Sequence, residues 1–442
     1  MQKVNTYLLA RQKKNCEEQK YRKSFKKALS EYQNGRLKES SEILNHLMHR
    51  KVDDRIKRKI EKVLLLLLVG ELYGMNTLNS LLSNYGVQSN DYQKLWSGLS
   101  CQYLVGLMND WLWILFREEF GKRITQSGST HSRQKLTLVL DGSIFKQWLK
   151  NETFDKYFAK FYSGQYGKAV YGFNVILCGM VIGDFFYPLH FQLRKKAEKD
   201  GEIALRILRK VHKKLIQIAD EMEVKLPSLY FSVDSGFRTK SLVFFCEKSN
   251  IIYIGVPKIT LGVLVNGKSM KISDLKSVYK EKEAAYYENN PSKNEPFTWR
   301  CRVQLNCLGR EVVLLLFRLN GSKKVSVIFS NNLDVKAKTL RRHWFERTKI
   351  ELLFRLIKNN FKIQQTTVRN RLGFMKKLAF ALVKSVYAQF FTQIVKKTDP
   401  RLKRLGFEGI RKQMVFHQIG REFLDELMEN EDLLQEHCPL KH

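Results

Sequence analysis

Trp344, Arg347, Glu351 and Lys358 follow one another at spacings of three, four and seven residues. At ~100° per residue of an α-helix they fall within roughly a 60° arc. Ile350, Leu353, Phe354, Ile357 and Phe361 collect on an adjoining apolar face. An amphipathic helix requires only the apolar stripe. It does not require an aromatic, a guanidinium, a carboxylate and an ammonium aligned along its edge. Such a line suits a metal-bound DNA phosphate, with the glutamate on the metal and the cations on the strand. Two further acids stand where that chemistry needs them. Leu136 to Leu140 is a short apolar run ending in Asp141-Gly142-Ser143, and Leu229 to Val233 is another ending in Asp234-Ser235-Gly236-Phe237. Taken singly, each aspartate also fits a plain strand-ending turn, and the helix edge a solvated face. Taken together, Asp141, Asp234 and Glu351 are candidates to hold two magnesium or manganese ions. Two cations ~3.5–4 Å apart activate a water or a 3′-hydroxyl and stabilise the leaving oxygen of a phosphodiester. Magnesium is hard and is held by a few carboxylates plus substrate phosphate. Without metal the acids repel one another, which raises at least one pKa.

Other chemistries find less support. The nine histidines show no metal spacing, and there is no Gly-rich phosphate loop or Gly-x-Ser-x-Gly turn. Seven cysteines are scattered without a Cys-x-x-Cys, which reads as reduced thiols. The charge balance is more telling: 78 Lys and Arg oppose 43 Asp and Glu, a net of +35 over 442 residues. A surface so charged repels itself unless a polyanion is present, and each phosphate neutralised on DNA releases a counterion. No membrane span is expected, because the run Val63 to Gly70 falls far short of the ~20 residues a bilayer needs. The first residues lack the pattern of a secretory signal. The expected location is cytoplasmic and nucleoid-associated, with double-stranded DNA as partner.

The elements that must position these residues are of the α/β class. Residues 1–130 read as helical and basic, with runs such as Arg55-Ile-Lys-Arg-Lys59, and are expected to recognise DNA ends. Gln126 to Arg133 reads as a boundary loop. Strands follow at Leu136–Leu140, Val170–Val181 and Phe185–Leu193, the last two joined by a hairpin at Gly183-Asp184. A helix is expected from Gly201 to Met222, a strand at Leu229–Val233, a helix from Thr239 to Lys248 and a strand at Ile251–Val256. The order β-β-β-α-β-α-β is that of a ribonuclease H-like mixed sheet, so residues 135–258 and 327–362 are assigned to a catalytic core. Residues 259–326 read as a β-rich insertion, within which Lys271 to Pro296 is polar and turn-rich. Residues 363–442 read as a helical C-terminal region, with seven acidic residues and no basic one between Glu422 and Glu436.

The residues resemble a known family at this point. The pattern Tyr-x2-Arg-x3-Glu-x6-Lys marks bacterial insertion-sequence transposases of the DDE type, the YREK group. It stands here as Trp344, Arg347, Glu351 and Lys358, with every spacing kept and tryptophan in place of tyrosine. The family's Asp-x-Gly/Ala-Tyr/Phe resembles Asp234 to Phe237, and its first aspartate is matched by Asp141. The resemblance covers about residues 135–362, including a β-strand insertion ahead of the glutamate. It implies an enzyme that nicks element ends and joins the freed 3′-hydroxyl to target DNA, acting as a homodimer on paired terminal inverted repeats. Arg347 and Lys358 would grip phosphates, Trp344 would contact DNA beside the scissile bond, and Trp299 could stack on a flipped base. As a hairpin residue, Trp299 fits a place in a core better than a stacking role. The alternatives are a domesticated, catalytically silent DNA-binding relative and a stand-alone nuclease of the same fold.

Overall fold

The computed structural model describes residues 100–125, 136–146, 156–163, 167–290, 296–319, 322–365 and 370–404, with isolated positions between 23 and 43 and between 406 and 410. The readings made for Arg55–Lys59, Gln126–Arg133 and Glu422–Glu436 lie outside the described residues. The described residues divide into two compact units. One comprises Leu115–Lys358 with Gln364–Arg371; the other draws on Met1–Ile114, Asn359–Ile363 and Leu372–His442.

The first unit is built on one large mixed sheet. β1 (Leu136–Lys146) opens with five consecutive buried residues, as expected of a strand covered on both faces. β1 pairs antiparallel with β3 (Lys168–Ile182), and β3 pairs antiparallel with β4 (Phe185–Leu193). On its other side β1 runs parallel to β5 (Leu229–Val233), which runs parallel to β6 (Ile251–Gly255). The order β4-β3-β1-β5-β6 is that of a ribonuclease H-like fold. One strand went unread in the sequence, β2 (Phe158–Ser163), which pairs with the first half of β3. Its six residues lie among Lys, Gly and Tyr and carry too short an alternation to stand out.

Two helices connect the parallel strands. α2 (Asp200–Glu221) buries Ile203, Ile207, Leu208, Val211, Leu215 and Ile218, a stripe at helical spacing. α3 (Lys240–Lys248) is capped by the Thr239 hydroxyl, which accepts from Leu242 N–H. Gly201 in the first turn of α2 lies against that cap, since a Cβ there would fall 2.1 Å from Thr239 Cγ2. Only glycine lets the two helix starts approach so closely.

The insertion strands do not form a separate layer. β11 (Val325–Ser330) pairs antiparallel with β6, and the sheet continues through β10 (Arg310–Arg318), β9 (Thr298–Leu305), β7 (Gly262–Val265) and β8 (Lys268–Lys271). The stretch read as polar and turn-rich instead holds an 18-residue helix, α4 (Ile272–Asn289). It buries only Ile272, Leu275 and Tyr279, so its narrow apolar stripe is hidden among charged residues. Asp274 in its first turn accepts from Lys271 N–H, a start signal that composition alone obscures.

In the second unit the Trp111 indole donates to the Tyr387 hydroxyl at 3.0 Å, with the rings edge-on. Trp111 lies on α1 (Cys101–Thr125), and Tyr387 on a later helix, Arg371–Thr398. That later helix is long and apolar enough to cross a membrane, where the sequence led to the expectation of no span. Its apolar window is 78% buried in protein, as in a core helix.

Candidate active site

The register of the sheet sets the first two acids side by side. Leu140 on β1 pairs with Val233 on β5, so Asp141 and Asp234 each follow the last paired residue of adjacent parallel strands. Neighbouring strands lie ~4.8 Å apart. Each carboxylate caps its own turn: Asp141 Oδ1 accepts from Gly142 N–H at 2.8 Å, and Asp234 Oδ1 accepts from Ser235 N–H at 2.7 Å. The two motifs also touch through their other residues. A Cβ at Gly142 would lie 3.3 Å from Phe237 Cζ and 2.9 Å from Ile176 Cδ1. The glycine after one aspartate therefore leaves room for the phenylalanine after the other.

The third acid arrives on a chain segment that is not one straight helix. α5 (Ala337–Phe345) and α6 (Thr348–Arg355) are separated at Glu346-Arg347, and Leu356–Asn360 closes as a π turn. Between them Arg347, Lys349 and Ile350 donate to carbonyls three residues back, a tighter winding than the α-helix. The even arc expected over Trp344 to Lys358 is thus interrupted twice. Mid-helix departures of these two kinds are frequent at functional sites.

The segment is pinned along β1 at three levels. The buried His343 ring makes a 2.6 Å hydrogen bond through Nδ1 with Thr137 Oγ1 and stacks on Tyr230 at 3.7 Å. Four residues on, Arg347 Nη1 donates to Asp141 Oδ2 at 3.1 Å. Further along, Phe354 packs edge-on against Phe145, and Lys358 Nζ stands 5.2 Å over the same ring. Thr137, Asp141 and Phe145 are each four residues apart on β1. Sequence reasoning missed His343, whose only signal was a histidine on the buried side of the helix.

Arg347 ties the acids together. Its second amine lies 2.7 Å from Glu351 Oε1, one helical turn away, so a single guanidinium bridges Asp141 and Glu351. Burial pushes the Asp141 carboxyl up to about 6, against the pull of Arg347 and the Gly142 N–H. The neighbouring charges of Asp234 and Glu351 push in the same upward direction. Burial lowers Lys358 to about 8, opposed by Asp141. Among the described residues no three His, Cys, Asp or Glu side chains stand at the mutual distances that hold an ion. The guanidinium lies between two of the acids. The donors themselves suit a hard cation: they are carboxylate oxygens, and Asp141 is shielded from water with like charges beside it.

The two tryptophans lie elsewhere. Trp344 packs edge-on against Phe317 and Phe345, beside the core cluster of Tyr230, Val313, Leu315 and Leu340. Its buried indole N–H has no acceptor among the described residues. Trp299 on β9 lies beneath the Lys282 ammonium of α4, 5.5 Å from the ring centroid. Pairing across β10, β11 and β6 sets it at the same edge of the sheet as the acids. It is five strand spacings from β1, roughly 24 Å along the sheet.

Comparison with known proteins adds one match. A family model described as a transposase DDE domain covers residues 124–383, more than half of the chain and all of the elements just described around the three acids. No curated protein matches the sequence.

Proposed function

The chain belongs to the transposase DDE domain family, and from that premise we propose that it cuts the ends of a bacterial insertion sequence and joins the freed 3′-hydroxyl to target DNA. Asp141, Asp234 and Glu351 are proposed as the residues that hold two magnesium or manganese ions. The observation that carries this reading is the paired register of Asp141 and Asp234, with Glu351 linked to Asp141 through one guanidinium. When bound, two such ions would activate the attacking oxygen and stabilise the leaving one.

The chain's own residues have separable tasks. Asp141 and Asp234 present carboxylates from rigid strand ends, so their separation is set by the sheet. Glu351 is carried by α6, which Phe354 holds against β1, while His343 holds the preceding α5 there. Arg347 neutralises the acids while no cation does so. Its guanidinium matches a phosphate as well as a carboxylate, so it is placed to exchange Asp141 and Glu351 for a DNA phosphate. Lys358 stands beside Asp141 over Phe145, where it would meet the next phosphate. For Trp344 to contact DNA beside the scissile bond, its ring would have to turn away from Phe317. For Trp299 to stack on a base, Lys282 would have to move off its face. The proposal extends to a homodimer on paired terminal repeats, with residues 1–130 recognising DNA ends, 135–258 and 327–362 forming the catalytic core, 259–326 the insertion and 363–442 a helical tail.

The rival reading is a catalytically silent DNA-binding relative, and it draws on the same guanidinium, which fills the space between two of the acids. One experiment separates the readings. Purified protein is incubated with the DNA that flanks its own gene, in magnesium or manganese, beside Glu351→Gln. Metal-dependent cutting and joining at the element boundary, lost in the variant, is expected. Binding without cutting would favour the silent relative, and cutting without joining a stand-alone nuclease.

A further inference from the structure

Beyond the acids, one face of the sheet continues onto a two-stranded ribbon. β1 runs past Asp141 to Lys146, and β3 reaches further, to Lys168, where β2 pairs with it. Directly opposed residues of an antiparallel pair point to the same face, and side chains alternate along each strand. Asp141 opposes Leu177, and Phe145 opposes Phe173. Stepping by twos along β3, Leu177, Phe173, Tyr171 and Ala169 therefore share the face of Asp141. Phe158, Lys160 and Tyr162 of β2 share it too, because they oppose Phe173, Tyr171 and Ala169. By the same alternation Lys168, at the tip, belongs to the reverse side with Val170.

Ring contacts follow the same line. Phe354 and Lys358 both meet Phe145. Phe158 lies 5.4 Å from Phe173 and stacks at 6.2 Å on Tyr171. As far as Phe173 the line is buried, and past Phe158 it opens to water. Lys160 is exposed, Tyr171 is 49% exposed and Tyr162 72%. On the reverse side Ala159, Phe161, Ser163 and Val170 are all buried. The ribbon thus hides one side and presents two phenols and an ammonium on the side of Asp141.

The chemistry of that surface selects its partner. A phenol hydroxyl donates to a phosphate oxygen, its ring lies against sugar, and an ammonium pairs with the phosphate charge. An apolar partner would take Lys160 out of water with nothing to pair it. Single exposed tyrosines are ordinary on a surface, but these two are diagonal neighbours in one ladder, in line with the acids. Tyr171 lies six residues along β3 from Leu177, roughly 20 Å at ~3.3 Å per residue. B-DNA advances about 3.4 Å per base pair, so a duplex crossing the acids would reach Tyr171 after about six base pairs. Lys358, over Phe145, stands between.

We propose that Lys160, Tyr162 and Tyr171, the outward face of the β2–β3 ribbon, hold the backbone of duplex DNA about six base pairs from the cut. The two phenols supply neutral donors and Lys160 the charged one. This role rests on DNA being the substrate of the acids, but its test reads binding without divalent metal and so stands apart from the cleavage experiment.

The test uses the full chain and a fluorescein-labelled 40-base-pair duplex of mixed sequence, in buffer with EDTA. Affinity is measured by anisotropy across a salt series. Lys160→Gln is expected to flatten the slope of log affinity against log salt by about 0.9, one phosphate contact. Tyr162→Phe/Tyr171→Phe keeps both rings and is expected to weaken binding about threefold to tenfold at an unchanged slope, since neutral donors displace no counterion. Contact is read directly by placing the photocrosslinker p-benzoylphenylalanine at Tyr162, where a DNA adduct is expected on irradiation. The same group at Ile216 of α2, which is also exposed, is expected to give at most a trace. An unchanged slope for Lys160→Gln, wild-type affinity for the double phenylalanine variant, or an equal adduct at Ile216 would overturn the proposal. So would an adduct from Tyr162 to a second copy of the chain in place of DNA.

Discussion

Asp141 and Arg347 define the chemistry at the scale of single residues. A buried carboxyl raised to about 6 binds its proton more tightly in the folded chain than in the unfolded one. Stability from this group is therefore fully present below pH ~4 and is lost as pH rises through about 6. The span corresponds to a contribution on the order of 3 kcal/mol. The metal-free wild type is expected to lose stability between pH 4 and 6, and Asp141→Asn to flatten that segment. Urea melts at several pH values check this; identical profiles for the two proteins would remove Asp141 as the cause. Arg347 leads to a second expectation. If its guanidinium competes with cations for Asp141 and Glu351, Arg347→Ala should bind manganese several-fold more tightly without DNA. Isothermal titration reads this directly, and weaker binding would mean that the arginine assembles the site instead of occupying it.

At the scale of elements, the site depends on how α5 and α6 are held against β1. His343 supplies a buried hydrogen bond to Thr137 and a stacked face to Tyr230. His343→Ala should cost about 2 kcal/mol, since it leaves Thr137 without that partner and opens a gap. It should also reduce cleavage, although the side chain is buried away from the surface. His343→Asn, which can restore the hydrogen bond but not the stack, is expected to recover stability in part. The contact between the two aspartate motifs gives a parallel case. Gly142→Ala places a methyl against Ile176 and Phe237 and should destabilise by about 1–3 kcal/mol. A wild-type denaturant midpoint would show that Phe237 moves aside freely.

For the whole molecule, the net charge of +35 sets the terms on which a polyanion is bound. Charge of this size makes affinity steeply salt-dependent whatever the local contacts. Only differences between variants therefore locate a site, which is why an exposed control position on α2 accompanies Tyr162. The proposed paired-end assembly leads to one further expectation. Light scattering of the protein with excess end-containing duplex should give two chains and two duplexes per particle; a persistent one-to-one complex would contradict the dimer.

Much of this was legible from the sequence, for local physical reasons. Mainly apolar runs ending in Asp141 and Asp234 identify buried strands with acids at their ends, because a strand covered on both faces carries few polar side chains, here Thr137 and Ser232. The periodicity of Ile203 to Ile218 identifies α2 in the same way. These local signals, with the spacing of Arg347, Glu351 and Lys358, were enough for the ribonuclease H-like class and the three candidate acids. What remained hidden depends on partners far away in the chain. The narrow stripe of α4 and the six residues of β2 are too weakly patterned to declare themselves before the sheet receives them. The tightened turn at Arg347 lies between two contacts with β1, those of His343 and Phe354, which no helical wheel contains. Only the folded sheet decides that Trp344 packs on Phe317, that one guanidinium spans Asp141 and Glu351, and that Lys160 comes to lie opposite Tyr171. Each of these is a contact between segments separated in sequence, and pairwise geometry of that kind is set by tertiary packing.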